Sequence, residues 1–167
     1  MGNCLQVFYD FKQINSIKMW DDKESYIMSD LFTDIINTAD SFTENFKDRN
    51  NFDYSIESLL AVNELLDEMC DYIVDEDILY NAYTMIGSYV FEVARKNYGG
   101  QYYWIREEEQ PVLIAGEPEF SVSIKAWDKV RMYIENGSDE NLQFYLDGYR
   151  EHIEKGKINK GYKALIV

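Results

Sequence analysis

Proline occurs twice in 167 residues, cysteine twice and histidine once, and no stretch approaches the roughly 18 consecutive apolar residues of a membrane-spanning helix. Each scarcity excludes a class of protein. Cys4 and Cys70 lie far apart and form no CxxC pair, which rules out a disulfide framework and leads us to expect a reduced, cytoplasmic protein. A lone His152 and two scattered cysteines give no basis for a zinc site of the Cys/His type or for a Ser-His or Cys-His nucleophile pair, and GxSxG is missing. No cofactor and no metal are expected, and His152 reads as a surface residue. The N-terminus has no basic stretch followed by an apolar run and a small-residue cleavage site. In MGNCLQ, Gly2 and Cys4 stand where acylated chains carry them, but Gln6 replaces the Ser or Thr of the myristoylation pattern.

Basic side chains are also few. The 31 acidic residues outnumber 16 Lys and Arg, and the excess is one-sided: residues 1–80 hold 18 acids and 5 bases, residues 81–167 hold 13 and 11. Such a field repels nucleic-acid backbones and anionic membranes, and it speeds association with a basic protein. What the chain does have is apolar and aromatic mass, 46% and 16% of its residues, including 14 Tyr, 9 Phe and 3 Trp. A single domain of this length buries roughly 70% of its unfolded surface, enough for a core without staples.

Periodicity gives the elements. Ile27, Leu31, Ile35, Ala39, Phe42 and Phe46 recur at intervals of three and four, which predicts an amphipathic helix; the earlier CLQVFYDF fits either a strand or a helical turn. Ser55 is placed to cap a second helix carrying Ile56, Leu59, Leu60, Val62, Leu65, Leu66 and Met69. A third runs from about Asp77 to Asn97, with Ile78, Leu79, Tyr83, Ile86, Val90, Phe91 and Val93 as the expected core side and Gly87 marking a close approach. QYYWIRE, PVLIAG and EFSVSIK read as an antiparallel meander of short strands. Ala126–Glu135 returns to helical spacing. Ser138 is placed to cap a last helix, Asp139–Glu154, and YKALIV adds a possible edge strand. Helices, then strands, then helices imply one α+β domain over residues 1–167, with helices packed on one face of a small sheet.

Several motifs then resolve. Gly99-Gly100 could cradle a phosphate only after a strand and before a helix; here they follow a helix whose last turn carries Arg95 and Lys96, so they stop it. DEMCDYIVDED lacks the glycine of a calcium loop, and Asp75 to Asp77 suit a helix N-terminus. Glu107, Glu108 and Glu109 form a hairpin tip with no second carboxylate cluster to oppose them. Tyr102, Tyr103 and Trp104 could mimic an RNA-stacking platform, but such platforms work in a basic field.

IGSYVFEVARKNYGGQYYWIREEEQPVLIAG, followed by SVSIKAWDKVRMYIENG, resembles a pattern in small bacterial proteins of unknown function: a helix of the form GxYxxEVxRxNxGG leading into a tryptophan-bearing strand, then a Lys-Val-Arg helix. Some of these are similar to immunity proteins for bacterial toxins. The resemblance spans residues 55–150 and implies a fold and a toxin-like partner; it carries no catalytic residue.

The expectation is therefore a non-enzymatic acidic binding protein that occludes a basic partner through the acidic face of residues 57–77, with Glu64, Asp67, Glu68, Asp71, Asp75 and Asp77 as steering charges. A small enzyme built on Glu92, Glu107 and Arg106, and a structural subunit assembling as a homodimer, are the alternatives.

Overall fold

A computed structural model describes residues 28–70, 75–137 and 141–167. MGNCLQ, CLQVFYDF, Ile27, Asp71, Ser138 and Asp139 lie outside them.

Helix α1, Met28–Phe46, buries the side the spacing predicts: Leu31, Ile35, Ala39, Phe42 and Phe46. Helix α2, Leu59–Cys70, starts three residues later than a cap at Ser55 would place it. Asp53 Oδ1 accepts from both the amide and the hydroxyl of Ser55, at 3.0 and 2.6 Å, and Ser55 Oγ accepts from the Ser58 amide at 3.2 Å. These short side-chain bonds hold residues 55–58 as a turn, a competition with helix that Ser and Asp commonly win.

Helix α3, Glu76–Tyr98, is the centre of the molecule. Asp75 caps it by accepting from the Asp77 amide at 3.0 Å. It is buried on every side over residues 84–94, because α1, a later helix and the sheet surround it; Ile78, Leu79 and Tyr83, expected in the core, are only half-buried. Gly99 ends it at φ +77°, its amide donating to the Arg95 carbonyl at 2.8 Å, and Gly100 follows at φ +119°. A side chain on Gly100 would come within 2.8 Å of the Ile114 carbonyl oxygen, so the pair also lets the chain pass close over the sheet.

Strands β1 (Gln101–Ile105), β2 (Gln110–Ala115) and β3 (Ser121–Ile124) form the expected antiparallel meander. Helices α4 (Ala126–Asn136) and α5 (Leu142–Ile158) then cross back, so that β4 (Lys163–Ile166) adds to β3 in parallel and the four-stranded sheet is mixed. Helix α5 begins at Leu142, not Asp139: Asn141 Oδ1 caps it by accepting from the Phe144 amide at 2.8 Å. Its predicted inward side, Leu142, Tyr145, Leu146, Tyr149 and Ile153, is buried.

Register fixes what each sheet face carries. Tyr102, Leu113, Ile124 and Ile166 lie in one row beneath the helices, while Ile114, Ser123 and Leu165 form a row on the opposite face. Tyr102 packs on Phe32 of α1 and Phe91 of α3; Tyr103 faces the other way and donates to Glu117 at 2.6 Å. Under the helices, Tyr89 gathers Phe42, Phe52 and Tyr54 with ring centroids 4.8 to 5.6 Å apart. Its hydroxyl accepts from the Tyr54 amide at 3.1 Å and pairs with Ser58 Oγ at 2.6 Å.

Candidate partner-binding surface

The acidic character of α1 and α2 follows directly from their sequences. Between them they carry Asp30, Asp34, Asp40, Glu44, Glu64, Asp67 and Glu68 and no Lys or Arg. On α2 the inward side is Leu59, Val62, Asn63, Leu65, Leu66 and Met69. Leu60, Glu64 and Asp67, spaced by four and three, form the exposed stripe opposite.

The predicted steering charges divide. Glu64 is exposed and has no partner among the described residues, and Asp77 is exposed at the first turn of α3. Asp67 is exposed but accepts from the Tyr133 hydroxyl at 2.7 Å, which ties α2 to α4. Glu68 accepts from Arg49 at 3.0 Å. Asp75 is the cap of α3. Half of the predicted set therefore also holds the fold together, and Asp71 lies outside the described residues.

Alongside the acids stand three apolar side chains that the sequence reading did not single out as exposed. Leu60 on α2 is 55% exposed, Met132 on α4 56% and Phe144 on α5 61%. Leu60 belongs to the apolar pattern of α2, yet it falls on the solvent side, on the stripe it shares with Glu64 and Asp67. Tertiary links bring the three helices together: Tyr133 reaches Asp67, and the Leu142 amide donates to Asn63 Oδ1 at 3.0 Å.

The enzyme-like trio is not assembled. Glu92 is 1% exposed and sealed between Arg95, whose Nε and Nη2 donate to it at 2.6 and 2.8 Å, and the Tyr102 hydroxyl at 2.9 Å. The bond to Glu92 holds the Arg95 guanidinium above its ordinary pKa, and burial, with the Glu92 charge second, drives the Tyr102 phenol well above its own. Arg106 and Glu107 sit on the exposed β1–β2 turn.

At that turn it is Glu108 that is used. It accepts from Lys125 Nζ at 2.6 Å and from Gln110 Nε2 at 2.9 Å, and the Lys125 bond holds its carboxyl below the usual range. Gln110 Nε2 also donates to Asp128 Oδ2 at 2.6 Å, joining the hairpin to α4. His152 is half-buried rather than free on the surface: its Nδ1 pairs with the Tyr162 hydroxyl at 2.5 Å, pinning α5 to the approach of β4. Among the described residues no group of three or more His, Cys, Asp or Glu could hold a metal, and no helix is long and apolar enough to cross a membrane.

The GxYxxEVxRxNxGG helix has a structural task at nearly every fixed position. A Cβ on Gly87 would lie 2.7 Å from Trp127 Cδ1; Tyr89 organises the aromatic cluster; Glu92 and Arg95 pair; Asn97 donates to the Tyr54 carbonyl at 3.0 Å; Gly99 and Gly100 make the junction. In comparisons with known proteins, no family model, no curated protein and no solved structure matches the chain.

Proposed function

We propose that this chain is a non-enzymatic, cytoplasmic binding protein that recognises and occludes a basic protein partner, in the manner of a toxin immunity protein. The observation that carries the reading is the charge of α1 and α2, which hold seven acidic positions named above and no base. Lys47 and Arg49, outside both helices, pair with two of the seven, Glu44 and Glu68, so the uncancelled charge is smaller than that count; Arg131 pairs with Glu135 at 3.1 Å and Lys125 with Glu108. Charges at the rim of an interface act mainly on the rate of encounter, by a factor of about 10 to 1,000.

The test begins with affinity capture from the native host and proceeds to kinetics on the purified partner. Glu57→Lys, Glu64→Lys and Asp77→Lys together should lower the association rate by roughly tenfold or more and flatten its dependence on salt. A captured partner that is not basic, or an association rate indifferent to both salt and these substitutions, would show the reading to be wrong.

A further inference from the structure

Charge alone does not account for the surface around α2. Leu60, Met132 and Phe144, each more than half exposed, sit on three helices that hydrogen bonds join directly. Single exposed apolar residues are ordinary; three linked in this way, interleaved with carboxylates, are not what a merely solubilising surface requires.

Helix geometry places them. On α4, Arg131 turns toward Tyr83 of α3, its guanidinium carbon 5.9 Å from the ring centroid, and Tyr133 turns toward Asp67 of α2. Met132 lies between the two directions, on the solvent side of α4, and its neighbour Tyr133 reaches the Asp67 end of the stripe formed by Leu60, Glu64 and Asp67. At a rise of about 1.5 Å per residue that stripe runs for roughly 10 Å. The first turn of α5, with Phe144, is anchored at Asn63, midway along it.

Resting on the acidic-binder reading, we propose that this surface docks a cationic amphipathic helix of the partner, whose apolar side chains seat on Leu60, Met132 and Phe144 while its lysines and arginines meet Glu57, Glu64 and Asp67. The complementarity is specific on both counts. The carboxylates favour a cationic ligand and reject an anionic one, and the three apolar side chains reward only a cation carrier that also presents an apolar stripe. Methionine adapts its shape to such a stripe at little cost. The acids then control the encounter, and the apolar contacts control how long the complex lasts.

Two helical-length peptides of about 15 residues test this with the intact protein: one of Leu and Lys in amphipathic order, the other of Gly, Ser and Lys with the same number of lysines. By fluorescence anisotropy the Leu/Lys peptide should bind at least roughly tenfold tighter. Leu60→Ser with Met132→Ser should bring it down to the Gly/Ser/Lys level and leave the latter's binding unchanged; unaltered thermal unfolding confirms that the variant is folded. Equal binding of the two peptides, or indifference of the Leu/Lys peptide to the double variant, overturns the apolar anchor while leaving the acidic surface standing. If neither peptide binds in a salt-dependent way, the acidic reading of this surface falls as well.

Discussion

The Tyr102 hydroxyl donates to the Glu92 carboxylate at 2.9 Å, joining the first strand to the central helix at a point where Glu92 is 1% exposed. Glu92 also receives two hydrogen bonds from Arg95 three residues on, and Arg95 lies over the Phe32 ring at 4.9 Å. One carboxylate therefore fixes α1, α3 and β1 relative to each other.

Removing Glu92 should cost more than removing the Tyr102 hydroxyl. Glu92→Ala leaves a guanidinium and a phenol facing a cavity, and breaking a buried pair from one side costs about 3 to 5 kcal/mol. Since Arg95 remains about a quarter exposed and can turn to water, the lower end is expected. Tyr102→Phe loses one hydrogen bond to a charged acceptor, about 1.5 to 3 kcal/mol. Urea unfolding of the two single variants and the double one checks this; the double should cost less than the sum, and strict additivity would mean that the two groups do not interact.

Gly87 provides a case in which local propensity and packing oppose one another. Alanine in a helix interior is favoured over glycine by about 1 kcal/mol. Here its Cβ would sit 2.7 Å from Trp127 Cδ1 and 3.0 Å from Trp127 Cα, a backbone atom that cannot swing aside. Overpacking of this kind costs about 1 to 3 kcal/mol. Gly87→Ala should lower stability by about 1 to 2 kcal/mol and perturb tryptophan fluorescence. A gain in the urea midpoint would mean that α3 and α4 are not in such close contact.

Much of this architecture is legible before any coordinates. The three-four spacing of α1, the stop at Gly99, the meander and the close approach at Gly87 all rest on local rules, and all are found. The misses share one cause. Glu92 reads as a candidate site carboxylate because its burial, and its bond from Tyr102, are seen only when a strand ten residues later folds back beneath it. Leu60 reads as part of the apolar pattern of α2 because four leucines within eight residues leave the inward side open until the neighbouring helices choose Leu59, Leu65 and Leu66. Asn141 caps α5, and the bond from Leu142 to Asn63 beside it joins residues 79 apart in the chain, which no local rule reveals. In the candidate surface the acids were visible as composition. Their division into free and engaged members, and the apolar residues among them, depend on how three helices meet.

Tyr149 tests the value of burying a polar group without a partner. Its ring is fully buried on α5, 5.9 Å from Tyr98, and its hydroxyl has no hydrogen-bond partner among the described residues. Tyr89, equally buried, has both bonds described above. A buried unsatisfied hydroxyl costs about 1 to 3 kcal/mol. Tyr149→Phe should therefore be neutral or stabilising by about 1 kcal/mol, whereas Tyr89→Phe should lose about 1 to 2 kcal/mol. The comparison by thermal unfolding is decisive only as a pair: equal losses would mean that Tyr149 has a partner in solution.

Alkaline pH should weaken the fold. Burial raises the phenols of Tyr102, Tyr145 and Tyr149 above the ordinary tyrosine value. In the unfolded chain each ionises near pH 10. Below that both states keep the proton and the stabilisation is fully present; above it the unfolded chain binds fewer protons than the folded one, so stability falls as pH rises. Each such tyrosine adds up to about 1.4 kcal/mol per pH unit to the slope. Melting temperatures measured from about pH 8 to 11.5 should be flat at first and then drop. Tyr149→Phe should shallow the drop by one tyrosine's share, because a phenylalanine has no proton to lose. A melting temperature that stays level well above pH 10 would mean that these phenols ionise in the folded protein as readily as in the unfolded chain, and that the core around α5 admits water.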